Sequence, residues 1–361
     1  MFSRSATAAV AVLAAAAAAA GMNNLGINVP PPPADYRFTA LAADGGGNVF
    51  AYDSTTIYRL QGATFQPYVG NIPHNAWPAE EVTVDPSGFV VNKQGTRAYI
   101  ATGGSGRLVE VNLDSTSAQF GAARELTGAS CIANSLTSNY GLAIDPIYGK
   151  LFMTDSYSAD LYAVGTSGNG SLSMLKHFAG GLFGSGIAFT PGGELIVPVA
   201  TAYAGWPDSD TYPVDMWLFS RAYLDDLAAG RTPSDTGTRF AAGLLVSGSG
   251  FAAAGKNGSL YLQAADGIYE VNGAGGLSVL AGDTGQNAFD LVNSGFMGLA
   301  YDSANDRLLS AYRATKSTNW HLYEFAPEPA TLGLVAAGLA GLWARRRRST
   351  AVHSSKLKAP G

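Results

Sequence analysis

Cysteine, histidine, charge and helical periodicity are all scarce in this chain of 361 residues, and each shortage excludes something. The single cysteine, Cys131, rules out an internal disulfide, so stability has to come from packing. About 290 residues between the two chain ends are enough to bury a sizeable core. The four histidines, His74, His177, His321 and His353, stand at no zinc-binding spacing, and no Gly-x-Ser-x-Gly elbow is present, so a zinc site and a serine triad both lack support. Charged residues make up 14%, and basic ones are in deficit. Residues 1–20 hold one Arg, and residues 327–361 hold six basic residues and one Glu; the stretch between keeps 15 basic and 26 acidic groups, net −11. Nucleic acid is therefore not an expected partner, because phosphate contact needs the opposite balance. Most of these acids stand in turn contexts such as Asp85-Pro86, Asp145-Pro146 and Asp266-Gly267, where turn chemistry accounts for them before calcium does.

What the chain does have is two unusual ends. Arg4 followed by the apolar run Ala6–Ala20 has the charged start, short apolar core and small-residue finish of a secretory signal peptide, so residues 1–20 are expected to be removed on export. Residues 21–37, with Pro30–Pro33, read as a stiff spacer and a possible closing strand. At the other end Pro327, Glu328 and Pro329 predict an extended, exposed strip, since each proline fixes its own φ and restricts its predecessor. Residues 331–344 follow with the uncharged run Leu332–Ala344, then Arg345, Arg346, Arg347 and Arg348, and a tail at 349–361. The apolar run predicts a short membrane helix whose arginine end stays in the cytoplasm, with the cargo outside.

The order Pro-Glu-Pro, apolar helix, arginine cluster over 327–348 resembles the PEP-CTERM sorting signal of Gram-negative exported proteins. That resemblance implies an exosortase as partner, removal of the helix, and delivery to the cell envelope, cell surface or exopolysaccharide matrix. Ser349–Gly361 continue past the point where such signals usually stop.

Between these ends, residues 38–326 repeat. An apolar residue, usually Tyr next, any residue, then an apolar one recurs as Ile57–Leu60, Leu108–Val111, Leu161–Val164, Met216–Phe219, Ile268–Val271 and Leu322–Phe325. A short apolar strand precedes each: Leu41–Asp44, Val82–Pro86, Leu142–Pro146, Ile187–Pro191, Phe251–Ala254 and Leu299–Asp302. Four-stranded antiparallel units repeated in this way close most economically as a radial propeller, so the expected fold is an all-β, six-bladed β-propeller. Blade six has room for three strands only; Leu25–Val29 or Tyr36–Phe38 should supply the fourth beside Leu322–Phe325, bounded by Pro30–Pro33.

The units resemble NHL and gluconolactonase-like propellers, through Gly141–Pro146 with Leu151–Ser156 and through Leu277–Gly282. A gluconolactonase-like enzyme would imply an axial divalent metal, for which Glu81, Asn139, Asp155 and Asp215 are the nearest candidates. The match is poor: Tyr140 separates Asn139 from Gly141, and Glu81 lacks a following Gly-Pro. Asp208, Asp210 and Asp215 lack the ligand alternation of a calcium loop, and Gly103–Gly106 read as a tight hairpin. The blade-four insertions, Thr201–Val214 and Ser220–Gly237, carry Tyr203, Trp206 and Tyr212 as the possible ligand surface. The chain reads as an exported binding module for glycan or another envelope protein, without catalytic residues, cofactor or metal; a metal-dependent lactonase-like hydrolase and a structural matrix protein are the alternatives.

Overall fold

The structure is a computed structural model and describes residues 22–31, 40–53, 55–72, 86–102, 107–126, 141–155, 159–165, 171–179, 183–184, 186–201, 211–247, 251–255, 258–264, 267–271, 276–282, 295–313 and 319–325. After β1 (Met22–Val29), blade one comprises β2 (Ala40–Ala43), β3 (Val49–Tyr52), β4 (Ile57–Gln61) and β5 (Thr64–Val69). Blade two is β6 (Pro86–Val91), β7 (Arg97–Thr102), β8 (Arg107–Asn112) and β9 (Ala123–Glu125), and blade three is β10 (Gly141–Ile144), β11 (Leu151–Asp155), β12 (Asp160–Val164) and β13 (Leu172–His177). Blade four begins with two short pieces, β14 (Phe183–Gly184) and β15 (Ala188–Phe189), both paired to β16 (Leu195–Ala200), and continues with β17 (Thr211–Phe219), α1 (Arg221–Ala228) and β18 (Thr238–Ser247). Blade five is β19 (Phe251–Ala254), β20 (Leu260–Ala264), β21 (Gly267–Val271) and β22 (Leu277–Gly282); β23 (Gly295–Asp302), β24 (Arg307–Arg313) and β25 (Trp320–Phe325) complete the chain of strands. The protein is thus an all-β six-bladed propeller of antiparallel blades with one helix among the described residues.

Burial falls from the axis outward. The second strands are buried on both faces, as in β3 and β16, because a blade lies against each side; third strands such as β12 mix buried and half-buried positions, and the fourth strand β13 has no fully buried residue. Six hydrophobic clusters fill the gaps between successive blades. First strands touch in a closed cycle, β2 to β6 to β10 to β15 to β19 to β23 and back to β2.

The repeated third-strand signature marks a physical device. In blades one, three, four and five the ladder to the fourth strand slips between the apolar residue and the aromatic that follows, at Ile57/Tyr58, Leu161/Tyr162, Met216/Trp217 and Ile268/Tyr269. The extra residue on the fourth strand is apolar each time, Tyr68, Leu175, Phe240 or Leu280, and packs on an inter-blade cluster. Such a bulge increases the local twist, which helps the outer strand follow the curve of the blade.

Blade six is completed by β1. It pairs antiparallel to β25, with Met22 opposite Phe325 and Val29 opposite Trp320, and ends where Pro30 removes the next donor. Its ladder slips at the same place, Leu322/Tyr323, with Leu25 in the bulge and Gly26 at φ +69. Tyr36–Phe38, the other candidate, lie outside the described residues.

One expectation needs correction. The first strand of blade two is Pro86–Val91, so Pro86 opens a strand where Asp85-Pro86 was read as a turn; Val82–Asp85 lie outside the described residues. The residue that ends this strand and anchors its hairpin is Asn92, whose Oδ1 accepts from Thr96 N (2.8 Å) and Arg97 N (2.9 Å), the part Asp plays elsewhere. The second insertion of blade four contains α1, capped by Ser220 Oγ accepting from Tyr223 N at 3.2 Å, with Tyr223 and Leu224 buried and the Tyr223 ring 5.1 Å from that of Phe219.

Candidate functional site

The first strands of all six blades line one axial cavity of about 800 Å3. Small residues reach it from every blade, among them Ala42, Gly88, Ala143, Ala188, Ala254 and Ala300, together with larger ones such as Phe89, Tyr99, Phe189 and Tyr301. At one end of the cavity sit the hairpins that join first to second strands. These are alike: the residue closing the first strand donates its N–H across the turn and accepts one back, as in Asp44 N to Asn48 O (3.0 Å) with Gly47 N to Asp44 O (3.3 Å), or Asp145 N to Lys150 O (2.8 Å) with Gly149 N to Asp145 O (2.9 Å). Thr190 and Gly255 repeat the arrangement in blades four and five.

The carboxylates at this end are already engaged. Asp44 accepts from Gly46 N, Asn48 N and Asn48 Nδ2 at 2.8, 2.9 and 2.6 Å. Asp302, fully buried, accepts from Asn305 Nδ2 and Arg307 Nε, both at 2.8 Å; burial works to raise its pKa, but the bonds from Asn305 and Arg307 outweigh it and hold the carboxyl below the usual range. Asp145 accepts from Ile147 N and Tyr148 N at 2.8 and 3.2 Å.

Asp145 has a second task. Arg221, the first residue of α1 in blade four, reaches across to blade three and donates from Nη1 to both Asp145 oxygens at 3.0 Å and to Gly193 O at 3.1 Å, while its Nε bonds Asp225 at 2.7 Å. Its guanidinium lies 4.9 Å from the centre of the Tyr148 ring. Tyr148 bonds Asp225, which pushes its ionisation up, and with Ile147 it is exposed, at 50% and 57%. Ile147 and Tyr148 both line the cavity, so this arginine-braced hairpin forms part of its mouth. Sequence reading took Asp145-Pro146 as a turn only; no local signal connects it to an arginine 76 residues away.

Most of the site residues singled out from sequence lie outside the described residues, and the described ones do not line this cavity. Tyr203 and Trp206 lie outside the described residues, as do Glu81, Asn139, Cys131, His74, His353, Asp208, Asp210 and Gly103–Gly106. Tyr212 falls within β17, opposite Val246 of β18. Asp155 ends β11 opposite Asp160. Asp215 is a mid-strand residue of β17 at a bulge, buried, and accepts from Arg239 Nη1 (2.8 Å) and Gly243 N (2.9 Å), away from the axial lining. It does not fit the part of an axial metal ligand. Among the described residues no group of three or more His, Cys, Asp or Glu side chains is placed to hold a metal ion. His177 Nδ1 lies 2.8 Å from Asp160 Oδ1 on the outside of blade three, and His321 is in β25. Pro327, Glu328, Pro329, Arg345–Arg348 and the expected membrane helix lie outside the described residues, among which no helix is long and apolar enough to cross a membrane.

Comparison places the architecture first. Solved structures similar to this chain include a gluconolactonase from Xanthomonas campestris (TM-score 0.52, 14% identity, covering 84% of this chain and 88% of that one). A luciferin-regenerating enzyme (0.50, 12%, 83% and 96%) and an auxiliary nutrient binding protein from Bacteroides thetaiotaomicron (0.50, 10%, 80% and 70%) are also similar. The protein is therefore a six-bladed propeller with gluconolactonase-like structural neighbours, and at these identities the likeness establishes the fold alone. Its targeting is more specific: residues 326–348 match the PEP-CTERM protein-sorting motif, which implies export and sorting at the cell envelope. No curated protein matches the chain in sequence.

Proposed function

We propose that the protein is an exosortase-sorted envelope propeller that binds a glycan or another envelope protein through one face and performs no chemistry. The observation that carries this reading is that, among the described residues, the carboxylates at the hairpin end of the cavity, Asp44, Asp145 and Asp302, each hold their own turn by hydrogen bonds. A general acid or base needs a free proton position facing the substrate. The aromatic residues Tyr203, Trp206 and Tyr212 of the blade-four insertion, and the exposed Tyr148 at the cavity, are the contact candidates, since aromatic rings suit both sugar faces and protein anchors. The exosortase is the partner of the tail, and the apolar run Leu332–Ala344 is the membrane tether before processing.

Glycan-array binding by the exported protein should be seen and be lost on Trp206→Ala or Tyr148→Ala. The second reading, a metal-dependent lactonase, draws on the likeness to the Xanthomonas campestris gluconolactonase. Lactone turnover that follows added divalent metal, with no ligand found on the array, would replace the binding reading by this one.

A further inference from the structure

The last described strand is the first part of the processing problem. β25 is a middle strand, with β24 on one side and β1 on the other, and the sorting motif begins at residue 326, directly after it. Phe325 is 2% exposed and packs with Tyr261, Ile268, Leu299 and Leu308 of blades five and six. The motif follows Phe325 in the chain without a spacer, so an enzyme that grips Pro327–Pro329 together with a few residues upstream has to take hold of β25 itself.

Without β1, β25 would be an edge strand. Its outward backbone groups would then be open to an enzyme that binds substrate by strand addition. With β1 docked, the same groups are spent: the register runs from Val29 opposite Trp320 to Met22 opposite Phe325, up to the last residue before the motif. Ile27 and Val29 secure β1 in the cluster with Leu41, Val49, Ala51 and Trp320, and Asn24 Nδ2 donates to Tyr323 Oη at 3.2 Å.

We propose that β1 competes with the processing enzyme for the outer edge of β25, so that closure of blade six ends the period in which the tail is readily cut. Processing is fastest on a propeller whose last blade is still open, and a molecule that closes first keeps its tether longer. The proposal rests on the reading of residues 326–348 as a working sorting signal.

Three variants test it in cells carrying the cognate exosortase, with loss of the tail followed by pulse-chase. Asn23→Cys with Glu324→Cys, register partners next to the motif, locks the clasp in a Cys131→Ser background; processing should slow several-fold and recover on reduction. Ile27→Ala loosens the clasp and should speed processing, with limited proteolysis confirming that the propeller stays folded. A flexible Gly-Ser spacer between Phe325 and Ala326 leaves the clasp intact and moves the motif away, and should speed processing as well. Equal rates in wild type, spacer and cross-linked forms overturn the proposal. Residues 326–348 fused through a flexible linker to an unrelated exported carrier separate the two ideas: if the carrier is not cut, the sorting reading fails and the proposal with it; if it is cut while the clasp variants do not differ, only the clasp proposal fails.

Discussion

Asp145 holds the backbone of its own hairpin and the guanidinium of the next blade's first helical residue at once. Its carboxylate is 1% exposed, so removing the cation would leave a buried charge with only backbone donors. Arg221→Met, which keeps most of the volume, should cost on the order of 2–4 kcal/mol by denaturant unfolding, and Asp145→Asn about as much. Two tyrosines give a readout at the alkaline end. Burial, with help from Asp53 and Glu110 respectively, pushes Tyr58 and Tyr99 up to about 12. A folded-state pKa above the ordinary ~10 means that their contribution is whole below pH ~10 and is lost as pH rises through about 12. Unfolding free energy should therefore decline from pH ~10 upward, and Tyr58→Phe with Tyr99→Phe should flatten that decline. Asp302 acts in the opposite window: its lowered pKa makes its contribution whole above the unfolded value of ~3.9 and lost on further acidification, which Asp302→Asn should blunt. None of these partnerships was legible in the sequence, because each joins residues whose separation follows from blade geometry or side-chain reach rather than from a pattern.

The elements were more readable. The apolar-Tyr-x-apolar mark found all six third strands, and the structure supplies its reason: five of them carry the ladder slip at that dipeptide. β1 slips at the same dipeptide, by two residues in place of one and again with an apolar residue, Leu25, in the bulge, so it serves as a fourth strand of the repeat although it lies some 300 residues from its blade. Val29→Asp would place an unpaired carboxylate at a site 2% exposed, against Trp320, and should cost roughly 3 kcal/mol or more, with aggregation through the uncovered edge of β25. Light scattering on heating, compared with wild type, checks the second part. The pattern failed at blade two, where Val82–Pro86 imitates a first strand and the working turn residue is Asn92 rather than Asp. The hairpin there is also tied to its neighbour: Gly95 has φ +69, and a Cβ on it would run into Asp44 Oδ2. Gly95→Ala should lose about 1–2 kcal/mol from the left-handed backbone alone, and more from the collision, measured by denaturant midpoint.

For the molecule as a whole, blade number followed from the count of repeats, whereas the bracing of Tyr148 at the cavity by Arg221 did not, since it depends on α1 reaching over a foreign hairpin. Because Met22 stands opposite Phe325, the first and last described strands of the propeller meet, and every blade has the same kind of neighbour on either side. Such a molecule has no privileged beginning. A circular permutant of residues 22–325, its natural ends joined by a short Gly-Ser bridge and opened instead within residues 127–140 between β9 and β10, should fold with the same blades and a melting temperature close to the parent's. In that permutant every blade is formed from consecutive strands of the chain, so folding of the sixth blade would become a local event in place of a meeting between the first residues made and the last.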